Sequence, residues 1–295
     1  MIDMIIDVFL DVCLDTVKLL PFLFVTYLAM EWFEHKMEVK SQSAVLKAGR
    51  FGPLIGGVVG IAPQCGFSAA ASSLFSGGLI TAGTLIAVFL STSDEMLPIF
   101  ISEQVPLFTM LKILLTKACI GIAMGFVFDL VYHTMLKRPM RYKNIINKHT
   151  VNDMCEEEKC HCDDGIFKSA IIHTLQITLF IFIFGLLIGF VVEGVGEETL
   201  TRFFTSIPVV GELIAGLVGL IPNCAASVVI TEMYIEGVIG AGPLISGLLV
   251  GAGVGLLVLF RLNRKNLKQN LAIIFYLYLV GVAAGVIIDL IGVRF

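Results

Sequence analysis

Residues 51–93 form a run of 43 positions without a single Asp, Glu, Lys or Arg. The hydrocarbon layer of a bilayer is about 30 Å thick and accommodates about 20 helical residues. The run is therefore too long for one crossing and too apolar for a loop in water. Inside it, the glycine-rich stretch GPLIGGVVGIAP ends at Pro63, and proline removes an amide donor and clashes with the preceding turn. Such a chain must carry interrupted backbone at membrane depth, where only protein, water or a ligand can satisfy the freed polar groups. Composition agrees, with 57% hydrophobic and 15% charged residues, against roughly 25% charged in soluble domains. This argues against a water-soluble enzyme and against disorder. A formal net charge of −4 argues against nucleic-acid binding.

A second stretch repeats the first. At an offset of 159, Gly52 falls on Gly211, Gly60 on Gly219, Pro63 on Pro222, Cys65 on Cys224 and Ser68 on Ser227, with 16 identities over the 39 positions from 52 to 90. One residue out of phase, GIAMGFVFDL (121–130) matches GVAAGVIIDL (281–290), which pairs Asp129 with Asp289. The expected architecture is an all-α polytopic membrane protein of two homologous repeats, 1–136 and 166–295, joined by a polar linker at 137–165. Segments long enough to cross unaided are 14–34, 79–101, 107–136, 168–192, 237–260 and 269–292.

Basic residues near span ends mark the cytoplasmic side. They cluster in 35–50, at the start of the linker and in 261–268, whereas 93–105 and 193–207 are predominantly acidic. One topology satisfies all five loops: both termini outside, a cytoplasmic linker, and a second repeat inverted relative to the first. Each proline-broken pair is then re-entrant. Residues 51–62 as a helix would be about 18 Å long, which carries the Pro63 and Pro222 corners to the midplane from opposite faces. Inverted repeats with broken helices at mid-depth are a recurrent plan of secondary transporters. The first residues, MIDMIIDVFL, lack a basic n-region, so no removable signal peptide is expected.

Chemistry concentrates at the corners. Beyond the freed carbonyls stand an amide and a thiol, Gln64 and Cys65 in one repeat and Asn223 and Cys224 in the other, with Ser68 and Ser227 one turn further on. Thiolates suit soft or borderline ions, while amides and carboxylates suit manganese. Asp94 and Glu95 end the uncharged run and Glu232 follows the second corner; carboxylates at membrane depth are costly and functional. Lys117 lies inside its span, where a lysine either snorkels or pairs with a carboxylate. His173, Asp129 and Asp289 are accessory candidates. The linker run CEEEKCHCDD carries Cys155, Cys160, His161 and Cys162, enough to gather a zinc-like ion in the cytoplasm. An odd total of 7 cysteines argues against a disulfide framework. No phosphate-binding loop, H-E-x-x-H or G-x-S-x-G occurs, so the chain is expected to be neither an ATPase nor another enzyme.

GIAPQCGFSAAASSLFSGG, STSDEMLPIF and GLIPNCAASVVITEMYIEG resemble the bacterial family of ten-transmembrane heavy-metal exporters, whose members are described as manganese transporters or arsenic efflux proteins. MEWFEHK, with Glu34 and His35, and the Cys/His-rich linker resemble it too. The resemblance implies two repeats of five helices and a role in moving a metal or metalloid. The expected function is a multi-pass secondary transporter of the cytoplasmic (inner) membrane that exports a Mn, Zn, Cd, Cu or As species. No tightly bound cofactor is expected, and the partners are lipid, the transported ion and, as a candidate, a second copy of the chain. Two alternatives are a transporter of small anions or organic solutes, and a non-transporting membrane metal sensor.

Overall fold

The computed structural model describes residues 49–62, 65–93, 96–136, 209–221, 225–293 and 295, with parts of 9–28 and 167–186. Among these residues every regular element is helical. The first half contributes α1 (Gly52–Gly60), α2 (Cys65–Ser76), α3 (Ala82–Ser91), α4 (Met96–Ser102) and α5 (Leu107–Leu136). The second contributes α6 (Val210–Gly219), α7 (Ala225–Ile235), α8 (Ala241–Val250), α9 (Val254–Leu262) and α10 (Leu267–Ile291). Among the described residues four stretches are long and apolar enough to cross a membrane: Ala82–Ser102, Leu107–Tyr132, Ala241–Leu262 and Leu267–Ile291. The expected spans at 14–34 and 168–192 lie largely outside the described residues, and the linker lies wholly outside them.

Two of the four spans differ from expectation, because neither is one continuous helix. The first stops after Ser91, where Thr92 turns extended at φ −58° and ψ 133°, and resumes at Met96. The second stops after Val250, passes through Gly251 at ψ 92° and Gly253 at φ 51°, and resumes at Val254. A positive φ of that kind is open to glycine at no steric cost.

The interrupted spans are central and the continuous ones peripheral. The described parts of the apolar windows in Ala82–Ser102 and Ala241–Leu262 are 88% and 82% buried, against 33% and 44% for Leu107–Tyr132 and Leu267–Ile291. The physical reason is the cost of unsatisfied backbone in hydrocarbon. α5 and α10 satisfy their own amides and can show Phe108, Leu115, Phe275 and Leu290 outward, whereas a helix break must be wrapped in protein.

Sequence-matched helices make matched contacts. α1 packs on α3 and α5, and α6 packs on α8 and α10. Where α3 crosses α5, a Cβ on Gly125 would sit 2.6 Å from the Gly83 carbonyl; where α8 crosses α10, one on Gly285 would sit 2.6 Å from the Gly242 carbonyl. Small residues at these crossings let backbones approach closely. The same pairs are tied by carboxylates. Asp129 accepts hydrogen bonds from the Gly83 amide at 2.8 Å and from Thr81 Oγ1 at 2.6 Å, and Asp289 accepts from the Gly242 amide at 2.8 Å. Each thereby serves an orphan donor at a helix start. Asp129→Ala is expected to lower stability by about 1–3 kcal/mol, read as an earlier thermal unfolding midpoint in detergent. An unchanged midpoint would remove this clamp.

Different loops gather at the two ends of the bundle. An open cavity of about 300 Å³ is lined by Ser76, Thr81, Asp129, Tyr132, Asn263 and Asn266, which joins the α2–α3 turn to the end of α5 and the α9–α10 turn. At the other end the Tyr234 hydroxyl donates to the Phe295 carbonyl at 3.2 Å and its ring lies 6.4 Å from that of Phe100. Asn266, Asn263 and Asn270 hydrogen-bond in series beside the cavity and fix the α9–α10 turn.

Candidate functional site: a convergence of helix breaks

Four helix interruptions meet in the interior. α1 ends at Gly60, where an added Cβ would strike Ser91 Oγ and lie 3.2 Å from the Val88 carbonyl, so the end of α1 rests on the last turn of α3. α6 ends at Gly219, where a Cβ would strike the Gly247 carbonyl and lie 3.3 Å from the Gly251 amide, the same relation in the other half. The halves then interlock. Ser72 Oγ, on α2, donates to the Gly255 carbonyl at 2.7 Å, just beyond the break of the second half. α7 packs reciprocally on α4, where Val228 and Ile99 share one apolar cluster. Each hairpin therefore touches the broken span of its own half and that of its partner half.

The two breaks carry unequal chemistry. Around the first, Ser91, Thr92 and Ser93 are all buried. Ser91 Oγ and Thr92 Oγ1 donate back to helix carbonyls, Ser91 to Ala87 at 2.8 Å and Thr92 to Val88 at 2.6 Å. The Lys117 Nζ donates to the Thr92 carbonyl at 2.5 Å. Lys117 is only 1% exposed, which excludes snorkelling. It lies 10 residues beyond Leu107, at the start of α5, hence about 15 Å along that helix, near mid-span. The matched second break is Gly251, Ala252 and Gly253, and the position matching Lys117 is the buried Leu277.

Two oxygens on α7 stand out. Thr231 Oγ1 and Glu232 Oε1 are buried with no hydrogen-bond partner among the described residues, although buried polar groups are almost always paired. Glu103 and Glu236 are close enough to Glu232 to repel it. On α2 the matched residues are satisfied, Ser72 as above and Ser73 by the Ala69 carbonyl at 3.0 Å.

Of the residues singled out from sequence, Ser68 is fully buried beside Gly255, Ser227 is half-buried on α7, and Cys65 opens α2. Pro63, Gln64, Pro222, Asn223, Cys224, Asp94, Glu95, Glu34, His35 and His173 lie outside the described residues, as do Cys155, Cys160, His161 and Cys162. Among the described residues no three His, Cys, Asp or Glu side chains cluster as metal ligands. Sequence reasoning passed over Thr231, Ser93 and the buried Glu212, which lies against Asp289. Register alone could have found Thr231, since it matches Ser72. Comparison with protein families, curated proteins and solved structures finds no match to this chain.

Proposed function

We propose that the chain is a secondary transporter that exports a metal or metalloid ion across the cytoplasmic membrane by alternating access of two inverted repeats of about five helices each. One observation carries this reading: the ends of α1 and α6 and two interrupted spans converge in the protein-enclosed middle of a bundle whose outer helices present apolar faces. Interrupted backbone at that depth is tolerated where it lines a polar site, and helix ends pointing at one place offer both amides and carbonyls to an ion. The inverted arrangement draws support from the two ends of the bundle. The α2–α3 turn lies by the cavity with the α9–α10 turn, whereas Tyr234, just before the matching α7–α8 turn, sits at the opposite end. The basic residues of 261–268 support a cytoplasmic position for the cavity end.

In this reading Gln64, Cys65, Asn223 and Cys224 at the hairpin tips hold the ion, and Asp94, Glu95 and Glu232 supply charge as the site changes face. Cells producing the chain, challenged with Mn, Zn, Cd, Cu or arsenite, should tolerate at least one of them better than control cells do. Cys65→Ser and Cys224→Ser should each abolish that protection at unchanged protein level. Equal tolerance of every ion, with and without the chain, sinks metal export. Uptake of a labelled anion by vesicles would then favour an anion carrier, and loss of a transcriptional response on deleting 153–164 a sensor.

A further inference from the structure

We propose that a proton held between Glu212 and Asp289 clamps α6 to α10, so that the second half has a titratable joint where the first half has a permanent one. The first half defines what the joint requires. Asp129, on α5, accepts from the Gly83 amide and from the hydroxyl of Thr81, the N-cap residue of α3. In the second half Asp289 accepts from the Gly242 amide in the same way, but the N-cap residue of α8 is Gly240, which has no hydroxyl to give. Another helix supplies the missing side chain. A Cβ on Gly125 would lie 3.1 Å from Pro53 Cβ, and one on Gly285 would lie 3.0 Å from Glu212 Cγ. Pro53 and Glu212 are matched at the offset of 159, and they fill the same slot against the neighbouring helix. Where the first half combines Pro53 with Thr81, the second combines Glu212 with Gly240. Gly285 stands one turn before Asp289, and the Glu212 carboxyl is in hydrogen-bonding contact with that of Asp289.

An ionised carboxylate only accepts, so two carboxyl groups make a hydrogen bond only with a proton between them. Two carboxyls sharing a site also oppose each other's ionisation. Asp289 already accepts from an amide, the role that Asp129 plays, which leaves Glu212 as the donor. Glu212 is buried, so bulk water does not replace that bond. Among the described residues, α8 brings no titratable side chain against α6, α10 brings Asp289 and Tyr278, and α7 carries Glu232 and Tyr234. The Tyr278 hydroxyl donates to the Leu213 carbonyl at 3.2 Å, and the Ser246 hydroxyl to the backbone carbonyl of Glu212 at 2.8 Å. A threonine hydroxyl keeps its proton throughout the working pH range, whereas a carboxylic acid donates only until its proton leaves. Loss of that proton turns the bond into a contact of two negative charges, and α6 is loosened from α10. Glu212 acts as a positioning residue.

The joint does not depend on which ion, if any, the chain moves, and its test is made on the full-length protein in detergent. Thermal unfolding is followed from mildly acidic to mildly alkaline pH. A proton bound in the folded state and released on unfolding adds stability that is lost as pH rises. Glu212→Gln keeps an N–H donor but no titrating proton, so it should match wild type in acid and unfold several degrees later than wild type in alkali. Glu232, Tyr234 and Tyr278 are common to both proteins, so the difference isolates position 212. Glu212→Leu should unfold several degrees early in acid, where the wild-type bond is intact. Gly240→Thr added to it restores the hydroxyl of the first half. Gly240 has an extended backbone at φ −83°, and a Cβ there would meet nothing within 4 Å. The double variant should therefore regain most of the lost stability, equally at every pH. A gap between wild type and Glu212→Gln that is the same at every pH overturns the proposal; a cation keeping both carboxylates ionised would give that result. A folded Glu212→Leu that Gly240→Thr does not restore overturns it too, and if Glu212→Leu fails to fold, the Glu212→Gln comparison decides.

Discussion

Gly255→Leu is expected to eliminate the folded protein. A Cβ at this position would stand 2.8 Å from Ser68 Cβ, 2.9 Å from the Phe89 ring and 3.0 Å from the Ser68 carbonyl carbon. Ser68 and Phe89 are themselves fully buried, so neither has room to retreat. Overpacking a filled interior costs typically about 1–3 kcal/mol, occasionally more, and that range describes Gly255→Ala. Leucine adds three further carbons where α9, α2 and α3 cross, and it would also displace the Gly255 carbonyl from Ser72. The measurement is size-exclusion profile and thermal midpoint in detergent, with Gly255→Ala several degrees below wild type and Gly255→Leu aggregated. A monodisperse Gly255→Leu protein with the wild-type midpoint would dissolve the interlock between the halves.

Glu232→Ser should separate stability from transport. Among the described residues Glu232 Oε1 is buried without a partner, and Glu103 and Glu236 lie near it as like groups, so the acid is a local liability that a neutral side chain relieves. Serine is what the other repeat carries at this register, and there Ser73 Oγ donates to the carbonyl four residues back at 3.0 Å. The variant should therefore unfold later than wild type, by about 1–2 kcal/mol of added stability, while flux of the exported ion drops about tenfold or more. Stability and flux measured on one preparation check both halves of the expectation. Unaltered flux would leave the carboxylate outside the transport cycle, and a lower unfolding temperature would mean that the carboxylate holds the fold together.

The broad outline of the fold was legible because it rests on strong local rules. Pro63 and Pro222 terminate glycine-rich helices wherever they stand, and the register that equates Asp129 with Asp289 anticipates two matching helix-start acceptors. The interruptions at Thr92 and at Gly251 were not legible. Hydroxyl residues and glycine are tolerated in apolar helices, and an average over about 20 residues conceals a few extended ones. Lys117 shows the same limit from the other side. Its position in a span was plain, but whether its ammonium reaches outward along the helix or inward to a carbonyl depends on which face α5 turns toward α3. That orientation is set by the tertiary contact between Gly83 and Gly125. For the candidate site, register identified matched residues such as Ser68 and Ser227. The pairing of hairpin with opposite span, which makes Thr231 and Glu232 interior, is a long-range contact without a local signature.

The crossing of α2 onto α9 and of α7 onto α4 has a consequence for folding. Among the described residues each interrupted span is covered partly by its own half and partly by a hairpin helix of the other. A chain carrying either half alone would lack that cover, so the two halves are expected to fold only together. Within that mutual shelter the halves are not interchangeable, as lysine at 117 opposite leucine at 277 shows.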